Sequence, residues 1–581
     1  MARLDPHSYA DASQAQTEVV ELSLRVDFAQ RTLAGECALE FREKSAGPLD
    51  LDTRDLAIES VTTLVGAPLP FALQAAEPIL GARLRIELPA AGAAGVRIRY
   101  RTSPQATALQ WLEPAQTAGG AQPFLYSQCQ PIHARSLAPL QDTPRIRIRV
   151  RARFTVPANL RTLMAAASKG RVAGGPGEAV DSFEMPQPIP SYLLAFVVGD
   201  LSPRQLSARS AVWAERSVVD RAANEFEHVE DMIVAAEELF GPYEWDRYDI
   251  LVMPPSFPYG GMENPRLVFV TPSLLAGDRS LVNVIAHELA HAWTGNLVTN
   301  ASANDFWLNE GFTVYAERRI LEALEGRESS ELHAAIGRHE LDAALVRFRD
   351  RPELTRLRND LAGVDPDEAY STVPYEKGYL LLRALEEAAG RERFDDFLRA
   401  YLEKFRFRSI QTQDFVDLLS ALLPRPGAQV RLLEWIDQPG IPSDAPRPHS
   451  ARLGLLKSGK AEPQSPTELL VLLQSLPQQT PEQCAALDAK LGLSNRRSIE
   501  VRHLFVLTLL RAGDPGAVEA ARRVLGETGR MKYLRPIFLE LAKQDRAVAQ
   551  RLYDERRAGY HPIARRVIEG LLSARSEHLN G

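Results

Sequence analysis

The sequence predicts a multidomain α+β protein. Three observations carry this. Apolar residues alternate with period 2 through about the first 200 residues, helical spacing dominates after residue 280, and a Pro/Ser-rich break at 437–466 precedes a last stretch that is helix after helix. A chain of 581 residues is long enough for about four domains at ~150 residues each. The β portion runs on as one unit, so the expected organisation is three domains and a linker: a β domain at 1–203, a mixed and then helical domain at 204–440, a linker at 441–463 and an all-α domain at 464–581.

In chain order, Val20, Leu22, Leu24, Val26 and Phe28 alternate with polar residues, the pattern of a half-buried strand. The stretches 83–88 and 96–101 repeat it. In 145–154 the alternation puts Arg145, Arg147, Arg149, Arg151 and Arg153 on one face, either a nucleic-acid surface or, favoured by the acidic whole, the solvated face of a sheet. Residues 222–240 have helical spacing, and 249–253 is a short apolar run ending at Pro254-Pro255, like a strand entering a loop. In the segment from Ser280 to Asn296, Leu281, Val284, Ile285, Leu289 and Ala292 supply the apolar face of a helix. A second helix is expected from Glu310 to about Glu325, stopped by Gly326. Near the end, 501–510 is strongly apolar, Gly513 stops it, and Asp514-Pro515 looks like an N-cap followed by a first-turn proline.

Composition narrows the function classes. Apolar residues at 45% and charged residues at 25% are ordinary for a globular protein. With 68 Lys and Arg against 75 Asp and Glu, the net charge is −7. A general nucleic-acid binder or an anionic-membrane binder needs a positive field instead. Cys37, Cys129 and Cys484 are far apart and support neither a disulfide framework nor a cysteine metal knot. No apolar run suggests a signal peptide or a membrane span, so a soluble, cytoplasmic protein is expected.

One motif carries chemistry on its own. His287-Glu288-Leu289-Ala290-His291 places two imidazoles at i and i+4 on one helix face, spaced for two positions of a Zn²⁺ tetrahedron. Glu288 between them is placed to take a proton from metal-activated water. A catalytic zinc site usually has three protein ligands, so the chain must supply a third. Glu310 of Asn309-Glu310-Gly311 follows after 18 residues, and Glu317 lies two turns further along. Glu317 reads either as a surface carboxylate or as a partner that orients an imidazole N–H. Upstream, Pro258-Tyr259-Gly260-Gly261-Met262-Glu263 is either a simple turn or a backbone that approaches a ligand closely.

Taken together, GGMEN, HELAH with 18 residues to the Glu of NEG, and VPYEKG resemble the aminopeptidase N family of zinc metallopeptidases. FLYSQCQPIH, LQDTP, DFWLNEGFTVY, DPDEAYSTVPYEKG and GRMKYLRP make the chain more similar still to the leukotriene-A(4) hydrolase branch and its bacterial aminopeptidase relatives, over about residues 5 to 575. The resemblance implies a β-saddle N-terminal domain, a thermolysin-like catalytic domain and an all-α C-terminal domain. It implies one Zn²⁺ per chain held by His287, His291 and Glu310, with Glu288 as general base and Tyr375 as donor to the oxyanion. It also implies a substrate cleft lined by Gln128, Cys129, Gln130, Pro258, Tyr259, Gly260, Gly261, Met262 and Glu263. Within it Glu263, assisted by Gln130, would hold the α-ammonium, and Arg530, with Met531 and Lys532, would take a peptide carboxylate.

The expected substrates are short peptides and the expected state is a monomer, with no nucleic-acid or membrane partner. Asp367 and Tyr370 match positions tied to the branch's second activity, opening a lipid epoxide. Ala303, Arg358-Asn359 and Phe312 depart from leukotriene-type members, which carry Trp, an apolar pair and His there. A more polar channel, poorer for a fatty-acid tail, is therefore expected, and peptides are favoured over a lipid epoxide.

Overall fold

The computed structural model describes residues 3–279, 281 and 283–573. The period-2 alternation of the N-terminal region becomes an eight-stranded sheet. Strand Thr17–Asp27 pairs antiparallel with the long strand Thr32–Thr53 and parallel with Arg147–Pro157. Val20, Leu22, Leu24 and Val26 all face the core, as their alternation requires. Thr32–Thr53 and Ala82–Arg101 then run antiparallel over most of their length, with register shifts where the ladder bends. A four-stranded sheet built on Phe124–Ser127 and Phe196–Gly199 completes this region.

The arginine stripe is not uniformly solvated. Arg149 pairs with Glu18, and Arg151 with Glu21 and Glu40, on the open face. Arg147 is buried instead, and its guanidinium donates to Thr299 Oγ1 (2.8 Å) and to the carbonyls of Asn296 and Pro188. One member of the stripe thus anchors the sheet to the segment that follows HELAH.

The central region opens with a five-stranded mixed sheet, in which Ala211–Glu215, Asp249–Val252 and Leu267–Val270 run parallel and the two-residue strand Gly261–Met262 forms an edge. The predicted helix at 222–240 is two helices, Val219–Glu225 and Val229–Phe240. The HELAH helix is described as Asn283–Ala290; its expected start at Ser280 lies outside the described residues. It ends before the expected Asn296, yet the bond from His291 N to His287 O (3.2 Å) keeps the helical spacing of the two imidazoles. Glu310 sits in the first turn of helix Trp307–Glu325 rather than at its start, and Gly326 ends that helix with φ +88°. This helix crosses Val373–Ala389 at Gly311 and Gly378, where a Cβ on either glycine would stand 2.7 Å from the other's Cα. That crossing sets the Glu310 turn beside the Tyr375 turn.

The stretch expected as linker carries a two-turn helix, Ala451–Lys457, whose Leu453 and Leu456 bury against Leu332 and Val471. Its prolines hid the pattern, and Ser450 caps it through Leu453 N. Beyond it the only regular structure among the described residues is helical, and Gly513 stops Ile499–Ala512 in the left-handed region. The next helix begins at Ala517, while Asp514 Oδ1 holds Gly516 N in the turn before it. The N-terminal and central regions share one continuous apolar core, whereas the C-terminal helices have their own. Among the described residues no helix is long and apolar enough to cross a membrane.

Candidate active site

One face of helix Trp307–Glu325 organises the metal centre. Glu310, Thr313 and Glu317, spaced i, i+3 and i+7, point at the two imidazoles. Glu317 Oε2 lies 3.0 Å from His287 Nδ1, and Asn283 steadies its other oxygen. His291 Nδ1 lies 3.1 Å from both Thr294 O and Thr313 Oγ1. With both Nδ1 positions occupied as donors, each Nε2 keeps its lone pair facing inward. Both Nε2 atoms lie 3.5 Å from Glu310 Oε2, a buried oxygen with no hydrogen-bond partner. Two inward imidazoles around an unpartnered buried carboxylate oxygen form a donor set that fits Zn²⁺, and the three ligand atoms lie within 4.8 Å of one another.

Glu288 is buried beside this cluster. Burial pushes its carboxyl up to about 7, against the pull of His287 and His291. The double glycine is explained here. A Cβ on Gly261 would stand 2.1 Å from Glu288 Oε1, and one on Gly260 would stand 2.7 Å from a terminal nitrogen of Arg530. The edge strand can therefore lie flush between Glu288 and Arg530. Met262 accepts from Gln128 Nε2, and Cys129 is buried behind Gln130. Glu263 is 4% exposed, with Gln130 Nε2 3.2 Å from its Oε1, and burial pushes its carboxyl up. No lysine or arginine among the described residues pairs with it.

Across the metal centre, the Tyr375 ring stacks on His287, with centroids 6.1 Å apart, and its hydroxyl lies 3.2 Å from that of Tyr370. Tyr370 itself is exposed. Asp367 is half exposed and takes His133 Nε2 at 3.0 Å. From the C-terminal domain, Gly529 N and Met531 N donate to Pro255 O and Pro258 O, tying the Arg530 turn to the loop of Tyr259. Arg530 is 8% exposed and donates to Tyr533 and Ser273. Lys532 pairs with Glu500 at 2.9 Å and with Glu340 at 3.3 Å.

Family models match three consecutive stretches: the peptidase M1 N-terminal domain at 6–193, the peptidase family M1 domain at 224–435 and the leukotriene A4 hydrolase C-terminal domain at 464–572. Leukotriene A-4 hydrolase of Xenopus laevis is 36% identical, covering 97% of this chain and 98% of its own. Leucine aminopeptidase 2 of Pyricularia oryzae is 35% identical over 98% of both. The chain belongs to peptidase family M1.

As a member of this family it is a zinc metallo-aminopeptidase, a hydrolase with the three-domain architecture of the leukotriene A4 hydrolase fold. The yeast leukotriene A4 hydrolase structure with bestatin superimposes with a TM-score of 0.91 at 33% identity, over 98% of this chain and 97% of that one. Most of the residues named from the sequence lie around one cleft, held there by several that were not named. Thr313 holds His291; its i+3 spacing from Glu310 is a signal that was present. Asn296 donates to Glu263 O, and His133 takes Asp367. Of the departures noted in the sequence, Phe312 belongs to the aromatic core, stacked 4.6 Å from Tyr401, and Arg358 pairs with Asp437.

Proposed function

We propose that this M1 aminopeptidase removes the N-terminal residue from short peptides, with one zinc per chain held by His287, His291 and Glu310. The observation that carries the reading is Glu263: a buried carboxylate without a cationic side-chain partner, beside the metal cluster, suits a substrate's free α-ammonium. Internal peptide segments bring no ammonium and leave that charge stranded, so they bind badly. When bound, zinc supplies a Lewis acid that polarises the scissile carbonyl and lowers the pKa of water from about 15.7 to about 7. Glu288 takes the proton and later delivers it to the leaving amine. Tyr375 donates to the developing oxyanion. The outer edge of strand Gly261–Met262 offers backbone groups to an extended peptide. Arg530 seats the far carboxylate, with Gly260 allowing its approach.

Peptides are favoured over a lipid epoxide, although relatives are named for that second activity. Asp367, the carboxylate such chemistry would use beside Tyr370, is already engaged by His133. The three free, buried cysteines suit a reducing compartment, so we place the protein in the cytoplasm. We take it to act as a monomer. A panel of aminoacyl chromogenic amides, run beside an allylic epoxide with and without chelator, tests this. Amide turnover lost to chelation and restored by zinc is expected. Turnover that survives chelation, or an epoxide turned over in preference to every amide, contradicts it.

A further inference from the structure

The two cations at the far end of the cleft are not equivalent. Lys532 is shared between Glu500 and Glu340, a carboxylate from each of the two domains it bridges. Arg530 uses one terminal nitrogen for Tyr533 Oη at 2.9 Å, with Ser273 Oγ at 3.4 Å. Its Nε and other terminal nitrogen have no hydrogen-bond partner among the described residues, and that free nitrogen lies against Gly260. A guanidinium with one anchored side and one open edge can present a fixed fork to a carboxylate.

The anchor leads to Glu500, in the first turn of Ile499–Ala512 and 6% exposed. Tyr533 is fully buried and donates its hydroxyl proton to Glu500 Oε2 at 2.6 Å. The phenol therefore turns a lone pair to Arg530, and the chain runs one way: guanidinium N–H to phenol oxygen, phenol O–H to carboxylate. Glu500 Oε2 also stands 4.0 Å from Arg530. Burial opposes its charge, but Lys532 and Arg530 outweigh that and hold its carboxyl at about 2. His503, tilted against the Tyr533 ring with centroids 5.1 Å apart, has no partner on either ring nitrogen and adds no competing donor.

We propose that Glu500 is a positioning residue that, through Tyr533, aims the open edge of Arg530 at the Gly260 strand and so sets the preference for peptides whose C-terminal carboxylate reaches it. Lys532 serves as the counter-ion of Glu500 and bridges to Glu340. The inference rests on the peptidase reading and adds a residue that does not touch substrate.

Three substrates separate the possibilities in the zinc-loaded full chain: a tripeptide acid, its C-terminal amide, and an aminoacyl anilide. Binding of a non-hydrolysable tripeptide acid and its amide is measured alongside, so that a wild-type protein inert on all three substrates contradicts the peptidase reading while the acid–amide difference still tests Glu500. For Glu500→Gln we expect KM for the tripeptide acid to rise about 10-fold with kcat unchanged, a change of one charge-assisted hydrogen bond. Tripeptide amide and anilide stay as in the wild type, and Glu500→Asp restores part of the loss. Tyr533→Phe, which removes only the relaying hydroxyl, repeats the pattern and covers the case in which Glu500→Gln fails to fold. Tighter binding of the acid in Glu500→Gln shows that Glu500 only masks the cations and overturns the proposal. An equal loss on all three substrates also overturns it, because a merely structural role would act that way.

Discussion

At the metal end of the cleft, His287 and His291 are each tied at Nδ1, and Glu310, Thr313 and Glu317 come from one helix face inside the core shared with the N-terminal sheet. At the carboxylate end, Arg530 enters from a domain with its own core, joined at this point by two backbone bonds of 2.9 Å from Gly529 and Met531. The residues proposed to react are thus held by continuous packing, while Arg530, proposed to seat the peptide carboxylate, sits across a domain boundary. Chemistry and length selection can then vary separately, and substitutions at the two ends should separate in kcat and KM.

The adjacent glycines test that separation most sharply. Gly261→Ala pushes Glu288 aside, since a Cβ there would stand 2.1 Å from its carboxylate. A displacement of that size costs about 100-fold in kcat. Gly260→Ala meets Arg530 instead, and should raise KM for tripeptides about 10-fold with kcat and aminoacyl-anilide turnover unchanged. Steady-state kinetics of both variants on both substrates check this; matched losses in both would erase the distinction.

Glu317→Gln keeps the shape of the His287 partner but removes its charge. Zinc affinity should fall about 10-fold, read by competition with a chelating dye, and added zinc should return kcat. An unchanged affinity would make Glu317 an ordinary helix residue.

The smallest effect lies in the C-terminal core. Burial holds His503 down to about 4, with Glu500 pulling the other way. The unfolded chain, with an imidazole near 6.5, takes up a proton first as pH falls. The contribution of neutral His503 is therefore complete above about pH 6.5 and is lost as pH falls toward 4. Glu500, held at about 2, begins to lose its own contribution only below its ordinary value near 4.5, so pH 5 isolates the histidine. Between pH 7 and pH 5 the wild type should lose about 2 kcal/mol more than His503→Phe in denaturant titration. Equal losses would place the acid sensitivity elsewhere.

Much of the metal end was legible in the sequence, because its signals are local. HExxH spacing survives even though the helix is shorter than expected, and Glu310 announces itself in NEG. Thr313 and Glu317 follow from helical spacing once Glu310 is fixed. The carboxylate end was legible only by resemblance. Glu500 stands 30 residues before Arg530 on another helix, and no periodicity links them. The burial of Arg147 and the Gly311–Gly378 crossing were hidden for the same reason: each depends on a partner far along the chain. The helix at Ala451–Lys457 was missed because prolines around a two-turn helix leave too few residues for a pattern.

We propose that Glu288 moves the proton while the metal is held without it. Glu288→Gln, assayed on an aminoacyl anilide with zinc content measured on the same sample, tests it most directly. Full zinc occupancy with turnover reduced by about 10²–10⁴-fold is the predicted result. Zinc-replete protein that retains its turnover would contradict the account.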